Sequence, residues 1–405
     1  MAYSYNKGFH TLMSEAGILS SESFDLYVRD IVGFGNLQNL NLDGFSWEPY
    51  SSLTFDYEQL IASNRLKVMA TYVDKDSEAI PFGTEGFETI RGVVPRQKAR
   101  FNWDEDDYRK YLQAVQTLDF QNSTAKAYAL DLLFNGLSDI KSAHELSMTY
   151  QRDQMVSNRA LTLSADNNPR GIKGLTFSAQ VPDANVTALT SSTRWFSSAT
   201  TKDSSTANSD ADPVGDVRGI IRAMKRKGYM NITVEVDEVS FLEDMEHPKW
   251  RTAIGYNLRP DLVLAANNDA NALIIGKNAG DDTVKAAFAQ IIGVPLSNIK
   301  FKQGLAAVET LQGKGPDAKL VRTSMRTFNA NTYVFYPAGP LGTIKSVSPL
   351  VPDSSAMYAT FFGGKGLIQY EYDAKAKFQD WWSELTALCV PNRPQEMFYL
   401  NTYHA

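Results

Sequence analysis

The sequence predicts an α+β fold, and three observations carry that reading. Helical and extended patterns alternate between residues 212 and 302, while strand patterns dominate from residue 332 to the end. Upstream, an extended ribbon and a long amphipathic helix reach further than one small domain can cover. With 405 residues, 43% of them apolar, the chain can bury more than one core.

Residues 1–60 read as a weakly periodic N-terminal arm. A short amphipathic piece, Ser21 to Ile31, precedes glycines and the aromatics Phe45, Trp47, Tyr50 and Phe55. Residues 61–103 read as a long hairpin, with extended runs from Arg65 to Asp74 and from Glu88 to Trp103 about a tip holding Pro81, Gly83 and Gly86. Along the returning run Arg96, Lys98 and Arg100 alternate with Gln97, Ala99 and Phe101, so the basic residues share one face. Such a ribbon is marginal alone in water and needs a surface to lie on. The basic stripe is either a solvated face or a contact to an acidic partner.

Residues 104–211 open with an acidic helix start. Asn102 can cap it, and Asp104, Glu105, Asp106 and Asp107 complement its positive end, which makes the acid cluster structural. A long helix from Ser123 to about Asn158 carries Leu130, Leu133, Leu137, Ile140, His144, Met148 and Met155 on one face, with Gly136 as its weak point. At ~1.5 Å per residue it spans ~50 Å, the length of a spine. A shorter hairpin follows around Asn167-Asn168-Pro169-Arg170-Gly171, and then a Ser/Thr/Asn-rich surface loop from Asn185 to Ala211, interrupted by Trp195-Phe196.

Residues 212–342 read as a compact unit of alternating helices and strands. Asp212 caps a helix with Pro213 at its first position, Val217, Ile221 and Met224 on one face and Gly228 as its stop. A strand from about Asn231 to Val236 leads to a short helix capped by Asp237, another from Pro248, and a third capped by Asp282 or Thr283 and stopped by Gly293. The strand from Ile299 to Lys302 comes next. Residues 343–405 are strand-rich, with runs around Gly366 to Tyr372, Trp381 to Val390 and Glu396 to Tyr403, and are expected to join the unit of the long helix.

Composition excludes much chemistry. Acidic residues (46) exceed basic ones (40) for a net charge of −6, against a broad nucleic-acid grip. The lone Cys389 rules out an intrachain disulfide and any multi-cysteine metal site, and sits in an apolar run that suits a buried small hydrophobe. His10, His144, His247 and His404 are scattered; His144-Glu145 begins a zinc-protease pattern whose second histidine is replaced by Met148. Gly33 and Gly35 begin a dinucleotide fingerprint that fails at Gln38, and no phosphate loop or GxSxG elbow occurs. No cofactor or metal site is expected. The one remaining route to an enzyme is the carboxylate set Asp237, Glu238, Glu243 and Asp244, whose helix-start positions favour capping. No apolar run reaches ~18 residues and no signal-peptide core opens the chain, so a soluble protein made in the cytoplasm is expected.

The order of elements resembles the major capsid proteins of tailed bacteriophages with the Hong Kong-97-type fold, the lambda-like major capsid protein E group in particular. The carrying segments are Val94-Pro95-Arg96-Gln97-Lys98-Ala99-Arg100-Phe101, Trp195 followed by Asp212-Pro213-Val214-Gly215-Asp216, Lys227-Gly228-Tyr229-Met230-Asn231 with Phe241-Leu242 and His247-Pro248 after it, and Tyr333-Val334-Phe335-Tyr336-Pro337. The resemblance implies an N-arm at 1–60, an extended E-loop at 61–103, a peripheral domain at 104–211 joined by 343–405, and an axial domain at 212–342. It also implies hexamers and pentamers of an icosahedral shell, in the virion, around double-stranded DNA that is contacted indirectly. A portal, a decoration protein and, because the arm begins at Met1, a separate scaffolding protein are the implied partners, with no membrane involved. Arg96, Lys98, Arg100, Asp104, Glu105, Asp106 and Asp107 are candidate intersubunit contacts. Lys75 and Asn392 are a conceivable crosslink pair of the kind some members form. The alternatives are an encapsulin-like nanocompartment shell of the same fold and, from another class, the carboxylate enzyme.

Overall fold

The computed structural model describes residues 42–61, 88–103, 123–261, 268–312, 319–351, 358–373 and 378–403. In chain order the first elements are β1 (Phe45–Trp47), β2 (Asp56–Ile61), β3 (Glu88–Val93), β4 (Arg96–Trp103), α1 (Ser123–Ser157), β5 (Ala160–Leu163), β6 (Leu175–Ser178) and β7 (Val186–Ala188). Next come α2 (Pro213–Arg226), β8 (Ile232–Asp237), α3 (Glu238–Asp244), α4 (Pro248–Leu258), α5 (Asp269–Lys277), α6 (Asp281–Ile292), β9 (Ile299–Lys302), β10 (Leu305–Gln312) and β11 (Lys319–Arg326). The chain ends with β12 (Thr332–Pro337), β13 (Gly342–Ser346), β14 (Tyr358–Phe361), β15 (Gly366–Asp373), β16 (Phe378–Pro391) and β17 (Phe398–Asn401). This is a mixed helix and sheet architecture, as the sequence predicts.

Two compact units emerge. The first takes its described residues from Met1–Glu58, Arg91–Thr149 and Thr343–Val390, and the second from Gln59–Ile90, Tyr150–Gly342 and Pro391–Ala405. Residues 150–211 and 391–405 therefore group with 212–342, whereas the sequence reading assigns them to the unit of the long helix.

In the first unit a six-stranded sheet runs β1-β13-β16-β15-β14, with β4 also paired to β16. β16 is central, and its residues from Ser383 to Pro391 are buried on both faces, with Ser383, Glu384 and Thr386 enclosed among apolar neighbours. Cys389 lies there, buried as expected. Ile140, His144 and Met148 of α1, at four-residue steps, are all buried.

The expected hairpin is built differently. The run from Glu88 to Trp103 is two strands broken at Val94-Pro95, since Pro95 has no N–H for a ladder. β3 pairs with β2, and β4 pairs antiparallel with β16, Arg96 opposite Thr386 and Trp103 opposite Gln379. Nor is the arm irregular to its end: Phe45 is buried in β1, and the backbone of Ser52 bonds Ser346 and Ser348. The run from Arg65 to Asp74 and the tip at Pro81 to Gly86 lie outside the described residues.

The second unit is organised by a five-stranded sheet, β7-β17-β12-β8-β9, in which β8 pairs parallel with β9 and β17 with β7. Ile232, Val234 and Val236 of β8 face an aromatic core of Trp195, Phe241, Trp250, Phe288, Tyr333 and Phe335. The predicted helix signals are present. Asp212 accepts a bond from Gly215 N at 3.1 Å, Asp237 accepts one from Ser240 N at 2.9 Å, and Gly293 ends α6 at φ 71°. At α6 the cap differs, because the helix already begins at Asp281 and Gly280 occupies its cap with no side-chain bond. α4 and α5 approach through Gly255, where a Cβ would lie 1.9 Å from Ala272 O, so only glycine fits. Helix α5 and the ribbon β10–β11 have no counterpart in the sequence reading.

The other face of β8 carries Thr233, Glu235 and Asp237, all buried. Glu235 is fully enclosed and receives both terminal nitrogens of Arg152, from the last turns of α1, at 2.6 Å each. Arg152 also bonds Asp153 at 3.0 Å, Asp153 accepts from Thr327 Oγ1 at 2.6 Å, and Tyr336 donates to Glu235. Burial by itself would raise the Glu235 carboxyl, but Arg152 overrides it and holds the group below the usual carboxylate range.

Breaking such a pair strands a charge, so Arg152→Met or Glu235→Leu alone should each cost about 3–5 kcal/mol in urea unfolding. The double variant should recover most of the loss; a double as unstable as the sum of the singles would contradict this account of the pair.

Candidate assembly surface

The basic stripe lies on β4. Exposure alternates along it, with Arg96, Lys98 and Arg100 exposed and Gln97 and Ala99 half-buried, as the strand period requires. The ladder to β16 brings the stripe beside Glu384, a nearly buried carboxylate with Arg96 Nη1 at 3.8 Å and Lys98 Nζ at 3.9 Å. Arg96 also sits over the Phe55 ring at 5.2 Å, and Lys98 over the Trp382 ring at 5.3 Å. The first acidic group facing the stripe is thus in the same chain, which sequence spacing alone could not show.

A second surface in the same unit is apolar. The segment from Glu48 to Phe55 runs beside residues 344–348, with Glu48 N on Ile344 O at 3.2 Å and Ser52 N on Ser346 O at 2.8 Å. Lys345 pairs with the Glu48 carboxylate, and Lys365 Nζ donates to Glu48 O at 2.7 Å. This anchored segment leaves Tyr50 at 87% and Leu53 at 89% exposure, with Leu350 at 84% on the adjoining chain. Large side chains so exposed on an anchored backbone make this a candidate contact surface.

Elsewhere the side chains with chemical potential are committed to structure. Asp237 caps α3 and pairs with Arg326, Glu238 pairs with Lys285, and Asp244, buried, takes Lys202 Nζ at 2.6 Å. Burial raises the Asp244 carboxyl, against the pull of Lys202. Trp195 Nε1 donates to Asp216 Oδ2 at 2.9 Å, joining two of the segments that carry the resemblance. His247 caps α4 by accepting from Lys249 N at 3.2 Å. Among the described residues no group of three or more His, Cys, Asp or Glu could hold a metal ion, and no helix is long and apolar enough to cross a membrane. Lys75 and Asp104, Glu105, Asp106 and Asp107 lie outside the described residues; Asn392 donates its backbone N–H to Leu341 O at 2.9 Å.

No family model and no curated protein matches the chain. Among solved structures it is similar to a phage-related protein from Bordetella bronchiseptica, with 12% identity over 91% of this chain and 94% of that one and a TM-score of 0.45. It is similar to a protein assigned as the capsid protein of an Escherichia coli prophage, with 10% identity over 95% and 99% and a TM-score of 0.48. A third is the procapsid of satellite phage P4 including its size determination protein, with 11% identity over 93% and 98% and a TM-score of 0.40.

His144 generates a pH prediction. Its Nε2 lies 2.7 Å from Ser383 Oγ and its ring 5.4 Å from that of Phe361, and burial pulls its pKa down to about 4. The unfolded chain takes up this proton near the ordinary histidine value of 6.5, the folded chain only near 4. The stability that neutral His144 provides is complete above about pH 6.5 and drains as pH falls toward 4, by about 3 kcal/mol in all. The stability gap between the parent and His144→Gln, read by urea melts, should therefore shrink by that amount between pH 7 and pH 4. A gap that stays constant with pH would refute it.

Proposed function

We propose that this chain is a major capsid protein, self-assembling into hexamers and pentamers of an icosahedral shell that encloses phage double-stranded DNA. One observation carries the reading. Among the described residues three two-stranded ribbons, β2–β3, β5–β6 and β10–β11, join no larger sheet, and Tyr50, Leu53, Leu350 and Leu305 are left largely in water. Two-stranded ribbons are marginal alone; β5–β6 and β10–β11 pack one face on their own chain, and the large apolar side chains left exposed favour further cover by neighbours. Copies of the same chain supply such neighbours repeatedly, and weak contacts then add through multivalency. The buried Arg152–Glu235 and Lys202–Asp244 pairs give the second unit the rigidity that repeated contacts require.

In this reading the role is structural and belongs to the virion. A net charge of −6 suits a lining that contains DNA without gripping its phosphates. Residues 1–60 and 61–103 serve as arm and loop, with Arg96, Lys98 and Arg100 adding contacts beyond Glu384. Scaffolding, portal and decoration proteins are the partners such a shell takes.

Negative-stain electron microscopy of the purified chain, alone and with a candidate scaffold, should show closed particles of uniform diameter that protect genome-length DNA when isolated from infected cells. Replacing Arg96, Lys98 and Arg100 together by glutamine, which places no new anion beside Glu384, should abolish closed particles while preserving the far-ultraviolet circular dichroism. A chain that stays monomeric at high concentration would overturn the reading, and particles that protect protein cargo but no DNA would favour the nanocompartment.

A further inference from the structure

Ribbon β10–β11 presents a face that its own unit does not cover. The two strands pair antiparallel from Leu305 opposite Arg326 to Gln312 opposite Lys319, and among the described residues neither joins another strand. Side chains alternate, so Ala306, Val308, Val321 and Met325 share the inward face, where all four are buried or half-buried. The outward face carries Leu305, Glu309, Leu320 and Arg322, with Leu305 64% and Leu320 54% exposed. Glu309 and Arg322 stand directly across from each other and pair at 2.9 Å, while Arg170 approaches Glu309 at 4.0 Å.

That arrangement is complementary to itself. If two ribbons stack face to face about a two-fold axis parallel to the strands, β10 of one copy lies over β11 of the other at the same height. Glu309 then faces Arg322 twice over, in a square of alternating charge. Leu305 lies over the methylene stem of Arg326, and Leu320 covers the tip end of the facing β10. A two-fold axis across the strands would instead set Glu309 over Glu309, which is repulsive. The charge order on the face therefore selects both the occupant and the symmetry.

We infer that the outward face of β10–β11 is a docking surface for the same ribbon of a second copy, stacked through a two-fold axis along the strands. The inference rests on the self-assembly reading and adds to it a specific contact.

Cys389, the sole cysteine of the sequence, is buried, so Leu320→Cys places one reactive thiol on the proposed face. Under conditions in which the parent associates, a short bismaleimide should link the full-length Leu320→Cys protein into dimers. Ala306→Cys, buried on the inward face, should stay unlinked. Adding Glu309→Arg or Arg322→Glu to Leu320→Cys should each cut crosslinking by about tenfold or more, the equivalent of about 1.4 kcal/mol. Mixing those two variants should restore it, because a cationic pair at 309 and 322 then meets an anionic one; an ion pair confined to one ribbon could not be rescued in this way. Closed particles without a Leu320→Cys crosslink would overturn the ribbon contact and leave the assembly reading standing. Crosslinked dimers that never form particles would do the reverse. Singles that crosslink normally, or a mixture that fails to recover, would also overturn the contact.

Discussion

The second unit depends on one buried interaction, the bidentate pair of Arg152 and Glu235. A guanidinium and a carboxylate removed from water cost several kcal/mol each unless every polar atom around them is well placed. The placement here draws on the last turns of α1, on β8, on Thr327 after β11 and on Tyr336 of β12. Lys300 Nζ on β9 adds a cation 3.6 Å from Glu235. Five separate stretches of chain must arrive in register before the pair is tolerable. Its contribution is therefore specificity of arrangement more than net stability: an apolar core could hold α1 against the sheet, but would not fix which residue of the helix meets which strand.

From that fixed sheet the rest of the unit follows by alternation. The residues of β8 that do not serve the pair, Ile232, Val234 and Val236, turn to the opposite face and meet the aromatic core. There Trp195 packs edge-on to Trp250 at 6.3 Å, and Phe241 to Phe288 at 5.0 Å. The Ser/Thr-rich loop is drawn into the same core: Trp195 and Phe196 are buried, and Lys202 reaches Ser240 and Asp244. A stretch that composition marks as surface loop thus becomes a structural strap, its polar residues bonding one another outside and its aromatics filling the inside.

Legibility in the sequence followed the range of the interaction. Asp212, Pro213 and Gly293 act on atoms a few residues away, so the boundaries of α2 and the end of α6 could be read directly, and the face of α1 through Ile140, His144 and Met148 followed from its period. The strand run of Glu88 to Trp103 was legible as extended chain, yet its partners were not, because pairing of β4 with β16 joins residues far apart in sequence and depends on register. Helix α5 escaped because Leu273, Ile274 and Ile275 stand together with no amphipathic spacing, and its packing on α4 is set by Gly255 and Gly276 instead of an apolar stripe. Of the candidate surface, the alternation of Arg96, Lys98 and Arg100 could be read. Glu384 beside them, and the outward face of β10–β11, could not.

The same division explains why exposed ribbons can coexist with deeply buried charges. A shell that closes correctly must let misplaced copies leave, so each contact has to be weak, whereas the body that carries the contacts must not deform when several engage together. A partly covered leucine such as Leu305 or Leu320 gains at most ~1–2 kcal/mol on burial, well below what holds a complex alone. The Arg152 pair, by contrast, is costly to disturb from any side. In the proposed assembly, rigidity in the interior and weak, repeated apolar contacts on the ribbons would separate folding from association. On that proposal a chain built this way folds as a defined unit first, and its association would then be governed by the number of contacts made at once.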